Sequence, residues 1–127
     1  MSPLVLDAGA LVALERGDRA TNQRIDEAIL AGHSIRTHPL VLAQVWRGGS
    51  GRQARLARAL RAVEVVPLDE ASGRRVGELL GRAGTSDPVA AAVVDLAADE
   101  DMILTSDPDD LTALVKASGR PVRVVRC

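Results

Sequence analysis

Short apolar runs alternate along the chain with longer segments in which apolar residues have helical spacing. Five runs are short and apolar enough to be strands, at residues 4–6, 34–37, 63–66, 102–104 and 122–125. In the intervening segments apolar residues recur three and four positions apart, as do Val76, Leu79, Leu80 and Ala83, which is the spacing of one helix face. Strands that alternate with helices over short connections predict an α/β fold, a parallel sheet with helices on both faces.

Glycine, proline and aspartate mark the boundaries of the predicted helices. Seven helices are predicted, over residues 8–16, 19–31, 39–46, 52–62, 69–83, 89–98 and 108–116. Residues 48–51, with the sequence GGSG, separate the third helix from the fourth. No repeat, linker or low-complexity segment interrupts the pattern, and the length is typical of one domain. The sequence therefore predicts a single domain over residues 1–127.

Charge is segregated along the chain, although the net charge is only -1. Positions 40 to 63 hold five arginines and no acid, whereas positions 83 to 115 hold eight acids and no base. Such a chain can place a basic surface beside an acidic pocket, which suits a polyanionic substrate next to a metal site. Two solvated helix faces of opposite sign are the alternative. Candidate RNA contacts are Arg47, Arg52, Arg55 and Arg58, and an acidic segment of a partner protein could use the same face.

Several classes of protein and site are excluded by composition. Cys127 is the single cysteine, so an internal disulfide or a cysteine metal cage is not expected, and no apolar run approaches a membrane span. Asp7 interrupts the first apolar run, unlike in a signal peptide, so a cytoplasmic location is predicted. Trp46 is the only aromatic residue and is expected in the core or an interface rather than under a stacked base. His33 and His38 are expected at the surface, away from the acidic motifs.

Three aspartates occupy related positions in the predicted fold. Asp7 directly follows the first strand, Asp107 comes shortly after the strand at 102–104, and Asp87 begins the apolar helix at 89–98. Each alone can be explained as a helix N-cap, which contributes about 1 kcal/mol. In an open parallel sheet, however, the carboxyl ends of the strands form the ligand crevice, where grouped carboxylates repel one another unless a cation neutralises them. Mg²⁺ prefers oxygen ligands and keeps waters that can serve as the nucleophile, so these aspartates are the predicted metal ligands and catalytic residues.

Two further acids follow Asp107 in the first turn of the last predicted helix. Acids are favoured there by the helix dipole, which is a sufficient explanation for Asp109. Asp110 could reach back toward the crevice and is kept as a possible auxiliary residue.

Three segments resemble motifs of the PIN domain family. Residues 4–14, LVLDAGALVAL, resemble the opening of PIN domains, with Asp7 as the first acid. Residues 87–91, DPVAA, are similar to the third acidic motif of the family, and residues 104–107, LTSD, to the fourth. The length and the order of strands and helices also match, so the resemblance covers nearly the whole chain. Within the family, the best match is the VapC-like toxin group of toxin–antitoxin pairs.

The resemblance implies a specific fold and activity. The implied fold is a PIN-like three-layer sandwich with a mostly parallel sheet of about five strands. The implied activity is that of a small cytoplasmic endoribonuclease that uses Mg²⁺ or Mn²⁺, forms a homodimer and is silenced by a cognate antitoxin. Thr105 and Ser106 resemble the hydroxyl residues beside the fourth acid, where they orient water or phosphate; hydrogen bonding at a strand end or helix cap is the alternative.

One position departs from the family pattern. The second acidic residue of the family, normally Glu, corresponds to Gln44 in this sequence. An amide oxygen can accept a hydrogen bond or ligate weakly, but it supplies no charge. The resemblance therefore implies three strong carboxylates instead of four and a weaker affinity for metal.

Other functions remain to be weighed against a nuclease. Loss of the acid at position 44 could have silenced the chemistry and left a module that binds RNA or an antitoxin-like partner without cleavage. A phosphatase of the haloacid dehalogenase type also has an aspartate after its first strand, but it needs a second one where Gly9 stands. A phospho-receiver domain needs an acid pair near the first strand and a late lysine, and Lys116 is in the wrong context.

Overall fold

Strands and helices alternate along the chain in the predicted order. The computed structural model describes residues 2–49 and 51–127. In chain order the elements are β1 (Leu4–Leu6), α1 (Ala8–Arg16), α2 (Arg19–Leu30), β2 (Ile35–Thr37), α3 (Pro39–Val45), α4 (Ala54–Leu60), β3 (Glu64–Val65), α5 (Glu70–Ala83), α6 (Pro88–Leu96), β4 (Met102–Thr105), α7 (Pro108–Ser118) and β5 (Arg123–Arg126).

All five strands form one parallel sheet in the order β3-β2-β1-β4-β5. Val5 of β1 pairs with Arg36 of β2 on one side and Ile103 of β4 on the other. The Asp7 N–H continues this ladder by donating to the Leu104 carbonyl at 3.0 Å. The strand order changes direction between β1 and β4, and such a switch point opens a crevice outside the carboxyl ends of the two strands.

Helices cover both faces of the sheet, so the predicted three-layer α/β arrangement is confirmed. Helix α1 packs against α2, α3 and α4 and contacts β1 and β4, whereas α5, α6 and α7 pack against one another and α6 contacts β1 and β2. The sheet is the centre of the core, where Val5, Leu6, Ile103 and Leu104 are fully buried. Among the described residues, no helix is both long and apolar enough to cross a membrane.

Several predicted boundaries differ from the structure. Helix α4 is shorter than predicted, because the glycines at 48, 49 and 51 adopt positive φ angles and delay its start until Ala54. Helix α3 ends before Trp46, whose side chain is 40% exposed. The expectation of a core position for Trp46 is therefore wrong, while an interface position stays a prediction. The single domain over 1–127 also stays a prediction.

Candidate active site

A cleft of about 780 Å³ lies at the carboxyl edge of the sheet, beside the ends of β1 and β4. Helices α1, α3, α6 and α7 contribute side chains to it. Its polar lining includes Asp7, Gln44, Asp87, Ser106, Asp107 and Asp110. The structure thus brings together the three predicted aspartates and most of the predicted auxiliary residues, although the first and last of them are a hundred positions apart.

Asp7 is held at the junction of β1 and α1 by two hydrogen bonds to different carboxylate oxygens. The Ala8 N–H donates to Oδ1 at 2.9 Å, so that Asp7 is the N-cap of α1. The Thr105 hydroxyl donates to Oδ2 at 2.8 Å. The carboxylate is half-buried, and these two donors fix its orientation toward the cleft.

Thr105 connects two of the candidate acids. Its side chain is fully buried at the end of β4, where Oγ1 also accepts from the Asp107 N–H at 3.1 Å. One hydroxyl group therefore sets both the Asp7 carboxylate and the backbone that carries Asp107. The predicted auxiliary role of Thr105 becomes one of positioning, since it contacts the acids rather than the open cleft.

Asp87 and Asp107 differ in how their carboxylates are used. Asp87 caps α6, because its Oδ1 accepts from the N–H groups of Val89 at 3.0 Å and Ala90 at 3.2 Å. Asp107 occupies the N-cap position of α7, but its side chain makes no capping hydrogen bond. The helix-cap explanation thus accounts for Asp87 and fails to account for the Asp107 side chain, which is exposed in the cleft.

Gly9 brings α1 and the loop after β4 close together at the margin of the cleft. A Cβ atom on this glycine would lie 2.3 Å from Ser106 Oγ and 2.7 Å from the Ser106 N. No side chain fits at such distances. Ser106 is therefore held against the first turn of α1, and the close approach favours glycine at position 9.

The donor set of the cleft fits a hard divalent cation only in part. Carboxylate and amide oxygens are the ligands that Mg²⁺ prefers, and this ion commonly uses one or two carboxylates and keeps its waters. Over residues 2–49 and 51–127, no three His, Cys, Asp or Glu side chains are close enough to enclose a metal. The chemistry of the lining residues therefore fits Mg²⁺ or Mn²⁺, whereas their spacing among the described residues does not enclose an ion.

His38 is not at the surface, contrary to the prediction from the sequence. It is fully buried as the N-cap of α3, where Nδ1 accepts from the Leu40 N–H at 3.1 Å and Nε2 lies 3.3 Å from the Val89 carbonyl. These partners require the proton on Nε2. Burial lowers the pKa of His38, and the Val89 carbonyl and Asp7 oppose that shift more weakly. His38 ties α3 to the start of α6 and thus lies close to the acidic motifs, whereas His33 remains partly exposed.

The predicted RNA-binding arginines lie outside the cleft. The guanidinium group of Arg47 folds back onto the carbonyls of Ala43, Gln44 and Trp46, so it caps the end of α3. Arg55 donates to the Arg16 carbonyl at 3.4 Å.

Arg55 and Arg58 line a separate groove of about 500 Å³ between α2 and α4. Arg52 is exposed just ahead of α4. These three side chains can contact only a substrate that extends beyond the acidic residues.

Three lining residues of the cleft were missed by the analysis of the sequence. Arg16 at the end of α1, Asp18 in the following turn, and Cys127 all contribute to the lining. Burial raises the pKa of the Cys127 thiol, and Asp7 and Asp18 act in the same direction. Arg16 follows Gly9, Val12 and Ala13, which also line the cleft, by seven, four and three positions. This spacing of one helix face is the signal that could have identified it.

The comparisons with known proteins agree with this geometry. A family model described as PIN domain matches residues 4–116. The chain belongs to the PIN domain family. This PIN domain is similar in fold to a solved structure of VapBC2 from Rickettsia felis bound to a DNA fragment from its promoter, with a TM-score of 0.72 and 14% identity over 98% of each chain. No curated protein sequence matches the chain. At such low identity the structural likeness concerns the fold alone.

Proposed function

We propose that this PIN domain is a metal-dependent endoribonuclease, the VapC-like toxin component of a toxin–antitoxin pair. The observation that carries the proposal is that Asp7, Asp87 and Asp107 line the same cleft. Over the described parts of the chain, none of the three forms an ion pair with arginine or lysine. Carboxylates that share a cleft and form no ion pair with a protein cation are suited to a divalent metal, and PIN domains generally use one.

The proposed roles follow from the hydrogen bonds of the site. Asp7, Asp87 and Asp107 would hold Mg²⁺ or Mn²⁺, and Thr105 would keep Asp7 and Asp107 in a fixed relation through its shared hydroxyl. When bound, such a cation activates water and stabilises the negative charge that develops at phosphorus during hydrolysis of the phosphodiester bond. Ser106 and Asp110 line the cleft and would orient water or the phosphate.

RNA is the proposed substrate, and the arginines beyond the cleft support it. Arg52, Arg55 and Arg58 are exposed on or just before α4 and would contact phosphates that flank the cleaved bond. Arg47 is the weakest of the four predicted contacts, because carbonyl groups of α3 already use its guanidinium donors. Phosphate contacts of this kind make the affinity for RNA fall as salt is added.

Gln44 supports a second candidate function, a module that binds RNA or a partner without cleavage. Its side chain is exposed in the cleft, where the family has an acid. An amide lowers the negative charge available to the metal by one unit compared with glutamate. If three carboxylates are too few to hold the ion, the cleft would retain its shape and lose its chemistry.

Partners are proposed from the same family relation. A cognate antitoxin would silence the enzyme by covering the acidic cleft, and a homodimer is the proposed oligomeric state. The fold similarity to VapBC2 supports this proposal. A cytoplasmic location stays a prediction from the sequence.

Cleavage of a mixed RNA substrate tests the proposed function. The protein and its Asp7→Asn variant are incubated with Mg²⁺, Mn²⁺ or EDTA, and the fragments are separated by size. We expect cleavage that requires metal and is lost in the variant. Absence of cleavage with either metal, while RNA binding persists, would instead favour the silent module.

The Gln44→Glu variant tests whether the absence of an acid at position 44 weakens the proposed metal site. Adding a carboxylate to the cleft should raise the affinity for Mg²⁺, and about tenfold is expected for a supporting ligand of this kind. The affinity is measured by titrating Mg²⁺ into both proteins. Equal affinities would show that position 44 does not contribute to the metal site.

A further inference from the structure

Five acids line the cleft, so a polyanion needs nearby positive charge to enter it. The lining acids are Asp7, Asp18, Asp87, Asp107 and Asp110. One divalent cation neutralises only part of this charge, so an approaching phosphate still meets a negative potential. In the described chain, Arg16 is the only arginine or lysine among the residues that line the cleft.

Arg126 is a second cation at the margin of the same cleft. It pairs with Thr105 across β5 and β4, and its Nη1 donates to the Ser106 carbonyl at 2.8 Å. This single hydrogen bond holds the guanidinium group at the backbone of Ser106, the residue before Asp107, and leaves most of its five N–H donors unused. Over residues 2–49 and 51–127, neither Arg126 nor Arg16 forms an ion pair, although acids lie nearby.

The two arginines lie at different distances from the candidate acids. Arg126 contacts the residue that immediately precedes Asp107. Arg16 is nine residues from Asp7 along α1, which corresponds to roughly 13 Å of helix. Arg126 is thus placed for a phosphate next to Asp107, whereas Arg16 is placed for one farther along the RNA. Arg55 of α4 contacts this end of α1, because it donates to the Arg16 carbonyl.

We infer that Arg16 and Arg126 bind the phosphates of a single RNA strand on either side of the acidic residues, Arg126 near the cleaved phosphate and Arg16 where the strand leaves the cleft toward Arg55. This inference rests on the proposed function. Guanidinium groups suit the role, because their planar set of donors matches phosphate oxygens in pairs.

Salt-dependent binding of RNA tests the inference without relying on cleavage. Fluorescence anisotropy of a short, labelled single-stranded RNA is measured in EDTA over a series of KCl concentrations. Each of Arg16→Gln and Arg126→Gln should weaken binding severalfold and reduce the slope of log K against log salt by about 0.7, the value for one phosphate contact on a single strand. Arg126→Lys should keep the slope, because it keeps the charge.

Arg123→Gln is the matched control, since Arg123 pairs with Met102 at the opposite end of β5. It should leave both affinity and slope unchanged. In cleavage assays with metal, Arg16→Gln should raise KM and leave kcat unchanged, while Arg126→Gln should also lower kcat.

Two results would overturn the inference, and they differ in what else they affect. Unchanged slopes in both glutamine variants of an enzyme that still cuts RNA would overturn the inference alone. A wild-type protein that neither binds nor cuts RNA would overturn it together with the proposed function.

Discussion

Strand β4 carries an aspartate near each end, and the two are held in opposite ways. Asp101, before the strand, is 3% exposed, accepts from the Ala98 N–H at 2.9 Å and forms an ion pair with Arg36 at 2.9 Å. Asp107, after the strand, is exposed, and its side chain makes no capping hydrogen bond. The first carboxylate is satisfied by the protein itself, whereas the second lacks such partners in the described residues.

The same contrast separates the two ends of α6, where Asp87 is the N-cap and Asp95 lies in the last turn. Asp95 of α6 accepts a paired hydrogen bond from Arg75 of α5, far from the carboxyl edge of the sheet. Asp7 and Asp87 at that edge receive only neutral N–H and O–H donors. The structural carboxylates Asp95 and Asp101 are paired with arginine, whereas the carboxylates proposed to bind metal accept only from neutral donors or lack a partner among the described residues.

The largest predicted effect is on Asp107. In Asp107→Asn a ligand of the proposed metal is lost, and a metal contributes several kcal/mol to stabilising the transition state. RNA cleavage should therefore fall at least about a hundredfold. The free energy of unfolding, measured by urea titration, should stay the same or increase, because a repulsive charge is removed.

Asp101→Asn is the control at the other end of the strand. It leaves Arg36 partly buried without its partner, and breaking a buried pair costs about 3–5 kcal/mol. Because the Arg36 side chain is 25% exposed, a smaller loss of stability, about 2 kcal/mol, is expected. Cleavage per folded molecule should be unaffected, and a variant that is stable but inactive would contradict the comparison.

Gly9→Ala is expected to displace the loop after β4 without changing any acidic residue. The added Cβ would clash with the side chain and backbone of Ser106, so the loop that carries Asp107 must shift. A displacement near 1 Å can cost about a hundredfold in rate, and we expect a loss of tens-fold in cleavage. Gly73→Ala on α5 is the control, because open space surrounds that position; normal activity in both variants would show that the loop tolerates the shift.

Thr105→Val tests whether the shared hydroxyl positions the acids. The substitution keeps the shape and removes the bonds to Asp7 Oδ2 and the Asp107 N–H. Metal affinity should fall by about tenfold, as for other groups that orient a ligand. Thr37→Val is matched to it, because the Thr37 hydroxyl is also buried at this edge but donates to the Leu6 carbonyl. Equal effects of the two variants on metal affinity would argue against positioning.

The smallest predicted effect concerns pH and His38. Burial lowers the pKa of His38 below 6.5, so on acidification the unfolded chain takes up the proton before the folded protein does. The contribution of His38 to stability is fully present above its unfolded-state pKa of 6.5. It is lost as the pH falls through the lowered pKa of the folded protein. His38→Asn should reduce the difference in urea midpoint between about pH 7.5 and about pH 5.5. A wild-type midpoint that is equal at the two pH values would refute the prediction.

The fold was predictable because each element has a strong local signal. Five apolar runs predict the strands, and the Asp-Pro pairs at 87–88 and 107–108 predict the starts of α6 and α7. The alternation of strands and helices predicts a parallel sheet with a crevice at the carboxyl ends of its strands. Asp7 lies at that edge because it directly follows β1. The strand order that opens this crevice between β1 and β4 depends on long-range pairing, which a local pattern does not contain.

The missed features of the site all depend on tertiary contacts. His38 was expected at the surface because it follows a short predicted strand, away from the acidic motifs, yet it is buried and contacts the Val89 carbonyl of α6. Arg126 is brought to the cleft by the pairing of β5 with β4. Conversely, Arg47 was proposed to bind RNA from its charge alone, and the local fold directs its guanidinium to carbonyl groups of α3.

Calorimetric titration of Mn²⁺ tests most directly whether the carboxylates at the carboxyl edge form a metal site. The titration is made into the wild-type protein, Asp107→Asn and Asp101→Asn. We expect saturable binding to the wild type and Asp101→Asn, and loss of that binding in Asp107→Asn. Binding that persists in Asp107→Asn, or no saturable binding to the wild type, would contradict it.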